Sequence, residues 1–178
     1  QIEQFSFSPR GEALSAVAIA AVLERSYGTG RVSLRNADPR AHPVIEQRFL
    51  EDERDMSRLV AAFKDTVAFA REEPLAGLID RIIFPALDRS LGDDSIRSLL
   101  ARFASSGFHP CGTAKMGPSS DPSAVVDQYG ICHAVEGLAV ADASIFPTVP
   151  RANTNLTSIM TGEKVGEWLR TEPGRYGL

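Results

Sequence analysis

The spacing of apolar positions marks out three helices. Met56, Leu59, Phe63, Val67 and Ala70 recur at helical intervals, with Phe69 off that stripe on the flank with Ala62. This predicts the longest helix of the chain, starting at Asp52 or Asp55 and running to about Glu72, with acidic residues at the front to suit its dipole and Pro74 to end it. Ile96, Leu99, Leu100 and Phe103 point inward from a second helix, Asp94–Ala104, capped by Asp93 or Asp94. Leu156, Ile159, Met160, Val165, Trp168 and Leu169 form the buried side of a last helix, opened by the Asn153-Thr154-Asn155 turn and ended at Pro173-Gly174. Leu75–Ile83, with Asp80-Arg81 between apolar residues, is expected to be a short helix.

Strand patterns are shorter. Gln1–Phe7 alternates and ends at a Pro9-Arg10-Gly11 turn. Ala13–Glu24 is ambiguous: its alanines permit a helix, while Val17, Ile19 and Val22 fit a buried strand. After a Tyr27–Gly30 turn, Arg31–Arg35 reads as a strand with Val32 and Leu34 on one face. Asn36–Pro43 holds two X-Pro steps, which push the preceding residues out of the helical region, so an extended loop is expected. Pro85–Ser90 reads as loop and Gly117–Pro122 as a turn cluster. Val125-Val126-Asp127 and Ile131–His133 are expected as short strands around the Gln128-Tyr129-Gly130 turn, and Leu138–Asp142 as a buried strand. Ser105-Ser106-Gly107 breaks the second helix and delivers Phe108-His109.

Composition narrows the class. With 178 residues, 43% of them hydrophobic and 24% charged, the chain is globular. Its net charge of −4 argues against nucleic acid or an anionic membrane as partner. No apolar run reaches the roughly 20 residues of a membrane span. Ala13–Leu23 is too short for one and lacks the basic flank of a signal peptide. Cys111 and Cys132 could pair, but two free thiols are the default, and a cytoplasmic location is expected.

The chemistry-bearing residues concentrate between Phe108 and Leu169. Gly107 and Gly112 bracket His109, which lets backbone approach a ligand closely, and a neutral imidazole near pH 7 suits proton transfer. Asn153 can hydrogen-bond a substrate oxygen or cap the helix that follows. Asp142, taken by itself, would end the strand before it. His109, Cys111, Cys132 and His133 form H-x-C and C-H pairs, but the C-x₂-C spacing of zinc sites is absent and no metal is expected. There is no G-x-S-x-G of a serine hydrolase.

Four motifs then fall in a recognisable order: Gly30–Leu34 followed by Asp38-Pro39 and His42-Pro43; His109-Pro110-Cys111-Gly112-Thr113; Val140-Ala141-Asp142-Ala143-Ser144-Ile145-Phe146-Pro147; and Asn153-Thr154-Asn155. From about Gly30 onward the chain resembles the C-terminal portion of the glucose–methanol–choline (GMC) family of flavin oxidoreductases. The resemblance implies an α+β fold, a mostly antiparallel sheet backed by helices, and favours a strand at Ala13–Glu24. It implies a substrate-domain part over 1–107 and a catalytic, flavin-contacting segment over 108–178 that packs on a flavin-binding domain. It implies FAD as cofactor and a small-molecule alcohol as substrate, with His109 as general base and Asn153 as hydrogen-bond partner. Phe108, Asp142, Ala143, Asn155 and Leu156 would contact the cofactor, with Asn155 also serving as helix cap. The loop at Asn36–Pro43 is then a rigid connector or an edge of the substrate funnel. No G-x-G-x-x-G follows a strand, so the dinucleotide-binding half is expected in a partner segment or chain. A hydroxynitrile-lyase-like flavoprotein and a non-catalytic binding or assembly module remain as alternatives.

Overall fold

A computed structural model describes residues 2–7, 16–83 and 91–178. The expected turn at Pro9-Arg10-Gly11 and loop at Pro85–Ser90 lie outside the described residues. The chain forms two compact units, Gln1–Gly30 with Gln47–Ser105, and Arg31–Glu46 with Ser106–Leu178. Together they give an α+β architecture of short antiparallel sheets and helices.

In the first unit, β1 (Ile2–Phe7) pairs antiparallel with β2 (Ala16–Ala21), Ile2 opposite Ala21 and Phe7 opposite Ala16. The alanine-rich stretch is therefore a strand, as β-branched Val17 and Ile19 allow. Helix α1 (Glu53–Phe69) is capped by Asp52, whose carboxylate accepts from the Arg54 N–H. The Arg54 side chain also donates to it, holding its pKa down at about 2. Helix α2 (Asp93–Phe103) packs Ile96 against Met56 and Val60 of α1, with Leu50, Phe63, Leu91 and Leu100 around them.

Several expectations need correction here. The cap position of α2 is Gly92, with no side-chain cap, and Asp93 and Asp94 lie in the first turn, where their negative charge complements the dipole's positive end. Phe103 is 50% exposed and does not face the core. α1 stops at Phe69, three residues before Glu72. Leu75–Ile83 yields only a 3₁₀ turn at Ala76–Leu78. Gly77 weakens its centre and the segment is too short to offset helix nucleation.

Asp55 shows why Asp52 takes the cap. The Asp55 carboxylate is buried and accepts from the backbone N–H groups of Tyr27 (2.8 Å) and Gly28 (2.7 Å), with Arg58 Nη1 at 3.3 Å. The Arg54 guanidinium lies over the Tyr27 ring, 4.1 Å from its centroid. The Tyr27–Gly30 turn is thus clipped to α1 through one carboxylate.

The second unit holds β3 (Arg31–Ser33) and β4 (Val44–Glu46), antiparallel with Arg31 opposite Glu46. β3 ends two residues short of Arg35, and Leu34 is 86% exposed. The loop between them is tighter than an extended run: Asn36 Oδ1 accepts from the Asp38 N–H, and Asp38 accepts from the Arg40 N–H. Strands expected at Val125–Asp127, Ile131–His133 and Leu138–Asp142 reduce to single bridges, Met116 to Val126, Val126 to Cys132 and Ile131 to Ala139. Each segment is only a few residues long between turns, and Leu138 is half-exposed. At their centre sit Val126, Ile145 and Phe146, essentially dry, packed by Cys111, Met116, Cys132, Val140 and Ala143. Gly130, at φ 78°, is obligatory: a Cβ there would run into the Val140 carbonyl oxygen.

Three backbone hydrogen bonds run from the N–H groups of Gly112, Ala114 and Met116 to the carbonyls of Ala143 (3.1 Å), Ser144 (2.8 Å) and Ile145 (2.8 Å). Their acceptors belong to a 3₁₀ turn, Ala143–Ile145, capped by Asp142. Asp142 Oδ1 accepts from both the N–H and the hydroxyl of Ser144, which holds its carboxyl below the usual range.

Helix α3 (Thr154–Thr171), at 18 residues, is one longer than α1, so α1 is not the longest described helix. Its buried residues are Thr154, Thr161 and Val165. Leu156, Ile159, Met160 and Leu169, expected inside, are exposed, Leu156 by 78%. The helix carries two apolar faces, and periodicity alone cannot tell which one this unit covers. Past Thr171, a 3₁₀ turn at Pro173–Tyr176 brings the Tyr176 hydroxyl to donate to the Tyr129 carbonyl at 3.0 Å. Tyr129 meets Trp168 edge-on at 5.1 Å. Among the described residues, no helix is long and apolar enough to cross a membrane.

Replacing Asp55 by Ala takes the charged, part-buried acceptor from the Tyr27 and Gly28 N–H groups and should cost about 1–3 kcal/mol of stability, read from urea unfolding. Asp142→Ala should raise the hydrogen-exchange rates of the Gly112, Ala114 and Met116 amides. In the unsubstituted chain the pH dependence follows from the lowered Asp142 pKa. The stabilisation is fully present above roughly pH 4, the ordinary aspartate value, and disappears as pH falls through the depressed pKa.

Candidate active site

Phe108 enters the site in an unusual conformation. Its φ is 63°, the left-handed region that non-glycine residues seldom occupy, and its N–H donates to Ser106 Oγ at 2.9 Å. The side chain is 87% exposed. The turn presents His109, which is half-buried. Its Nδ1 lies 3.3 Å from the Thr154 hydroxyl, at the first residue of α3.

Downstream, the chain is tied down immediately. Cys111 packs on the Val126–Ile145–Phe146 cluster, and burial pushes its thiol pKa up. Gly112, at φ 80°, passes so close to the Phe146 carbonyl that a Cβ would sit 3.3 Å from that oxygen. Its N–H donates to Ala143, joining the His109 loop to the Asp142–Ala143 segment.

Pro147 and Pro150 carry the chain from that segment to α3. Asn153 occupies the cap position, and its side chain makes no capping hydrogen bond. Asn155, expected to be the cap, is instead the second helical residue. The cap is fixed by where helical dihedrals begin, and they begin at Thr154. Asn153, Asn155 and Leu156 are all exposed. The first turn of α3 contains no acidic residue and no side-chain cap, so its N–H groups and positive dipole end are open to an external acceptor.

The structure therefore joins His109 to the start of α3 through Thr154, and joins its loop to Asp142–Ala143 through Gly112. The side chain found on the imidazole is Thr154, which the residue pattern did not single out. Its position between two asparagines was the available signal. The Asp142 carboxylate is already engaged by Ser144, so any cofactor contact by that side chain competes with the turn it caps. His133 Nε2 lies 3.0 Å from the Gly117 carbonyl, and among the described residues no group of three or more His, Cys, Asp and Glu comes together.

A family model described as GMC oxidoreductase matches residues 26–162. The chain is 37% identical over 146 residues to an oxygen-dependent choline dehydrogenase of Cronobacter sakazakii, covering 82% of this chain and 26% of that protein. It is 34% identical over 157 residues to an uncharacterized GMC-type oxidoreductase of Mycobacterium bovis, covering 87% of this chain and 29% of the relative. The chain thus spans little more than a quarter of the length of these relatives. Among solved structures, pyridoxine 4-oxidase from Mesorbium loti superposes with a TM-score of 0.77 at 24% identity, over 88% of this chain and 30% of that one. A formate oxidase variant of Aspergillus oryzae, studied for FAD modification, gives 0.85 at 23% identity, over 95% and 29%. With the order of the His109, Asp142 and Asn153 motifs, the family match shows that the chain belongs to the GMC oxidoreductase family, a family of FAD-dependent flavoproteins, and corresponds to its C-terminal portion.

Proposed function

We propose that this chain is the substrate-side part of a flavoenzyme that oxidises an alcohol, with His109 as general base and Asn153 as the hydrogen-bonding partner of the substrate oxygen. The observation that carries the reading is the placement of His109. A half-buried imidazole, held at Nδ1 by Thr154, stands on a strained turn and is tied to a helix start whose asparagines face outward. The choline dehydrogenase relative supports a small-molecule alcohol as the substrate class.

The residues fit FAD. The uncapped first turn of α3 suits an anionic group, and Phe108, Asn155 and Leu156 are exposed for contact. FAD, when bound, supplies the hydride acceptor. This chain's own work is the proton. His109 takes the substrate's hydroxyl proton at its available ring nitrogen, Nε2. Asn153 offers an amide that orients the oxygen without competing for that proton. The Asn155–Leu156 amides place positive dipole where negative charge is held.

The chain offers the cofactor one edge only, since no G-x-G-x-x-G opens a helix in its sequence. The pyrophosphate-binding part therefore belongs to another segment of the polypeptide or to a partner chain. The exposed Leu156, Ile159 and Met160 on α3 are an apolar face for that part to cover.

In the assembled enzyme, His109→Ala should slow flavin reduction by about 10²-fold or more while leaving flavin bound. Anaerobic stopped-flow in the flavin's visible band measures it. A near-normal rate removes His109 from the mechanism, and bound flavin that no alcohol bleaches favours a lyase-like role.

A further inference from the structure

We infer that Thr154 is a positioning residue: its hydroxyl accepts a hydrogen bond from His109 Nδ1–H and so keeps Nε2 as the unprotonated nitrogen. The inference rests on the reading of His109 as a base.

The hydroxyls along α3 show why Thr154 is set apart. Ser158, Thr161 and Thr171 each donate to the carbonyl four residues back, those of Thr154, Thr157 and Glu167, at 2.8–2.9 Å. Thr154, the first helical residue, does not share that pattern. It is nonetheless buried, at 9% exposure, and a buried hydroxyl requires a partner. The partner the structure provides is His109 Nδ1, at 3.3 Å.

A threonine hydroxyl can donate or accept, and a neutral imidazole carries its proton on one nitrogen only. If Thr154 donated to Nδ1, Nε2 would hold the proton and could not take another. With Thr154 accepting, Nδ1 carries the proton and Nε2 has a lone pair for the substrate. The same geometry serves after proton transfer, because the imidazolium still donates through Nδ1 to Oγ1. The separation is long for a hydrogen bond, and contacts of this type tighten when the substrate complex forms.

The test uses the assembled, flavin-loaded enzyme with ¹⁵N-labelled histidine, the His109 signals being assigned by their loss in His109→Gln. The expected result is a neutral tautomer with the proton on Nδ1. Thr154→Val, nearly isosteric, should move the proton toward Nε2 and slow flavin reduction about three- to tenfold, the effect of one neutral hydrogen bond. Thr154→Ser should restore both the tautomer and most of the rate. Thermal melts of all variants identify any that fail to fold; if Thr154→Val does, Thr154→Ala poses the same question. An Nδ1 found unprotonated in the unsubstituted enzyme would overturn the proposal. So would a Thr154→Val enzyme with an unchanged tautomer, even if it were slower, because that outcome makes Thr154 a packing residue. Failure of the base reading is separately visible, as normal flavin reduction in His109→Ala.

Discussion

The second unit depends on the backbone pairing between residues 112–116 and 143–145. Three amide hydrogens of one stretch meet three successive carbonyls of the other, over a core of Val126, Ile145 and Phe146. Each bond contributes only about 0.5–1.5 kcal/mol net, but a buried group left unpaired costs about 1–3 kcal/mol. The pairing therefore acts mainly by excluding alternatives. It requires glycine at 112, where the left-handed backbone passes close to the Phe146 carbonyl, and it requires the Asp142 cap to shape the acceptor turn. His109 lies only three residues upstream, so its ring position follows from a backbone constraint and one hydroxyl.

Much of this was legible in the residues. The α1 stripe from Met56 through Phe63, the strand at Arg31, the break at Ser105–Gly107 and the helix beginning among the asparagines are all present. So is the motif order that marks the family. What escaped detection has physical causes. Val125–Asp127 and Ile131–His133 have strand-like residues, but a strand needs a partner of comparable length, and here each finds only isolated bridges. Leu156, Ile159 and Met160 have the spacing of a buried face, yet a stripe records that a face will be covered without saying by what. Asp52, Asp55, Asn153 and Asn155 are chemically interchangeable as caps; only tertiary context decided among them, through the Tyr27 and Gly28 amides in one case. Thr154 lacked any signal beyond its neighbours, because the role of a hydroxyl is set by what lies across from it.

The division of labour in the proposed enzyme follows from the same features. Proton handling needs a rigidly held imidazole, and this chain provides one on a turn anchored at both ends: Ser106 receives the Phe108 N–H, and Ala143 receives the Gly112 N–H. Anchoring a dinucleotide needs a glycine turn feeding a helix, and this sequence has none. What remains for the cofactor is the open first turn of α3 and the exposed side chains beside it, contacts that complete a site founded elsewhere.

Flavin binding by the chain alone tests this division of labour. FAD is titrated into the isolated chain and followed by flavin fluorescence, with circular dichroism confirming that the helices are formed. No binding is expected at micromolar concentrations by the folded chain, and a bound-flavin spectrum is expected once a segment carrying G-x-G-x-x-G is present. Micromolar or tighter binding by the chain alone would contradict that division.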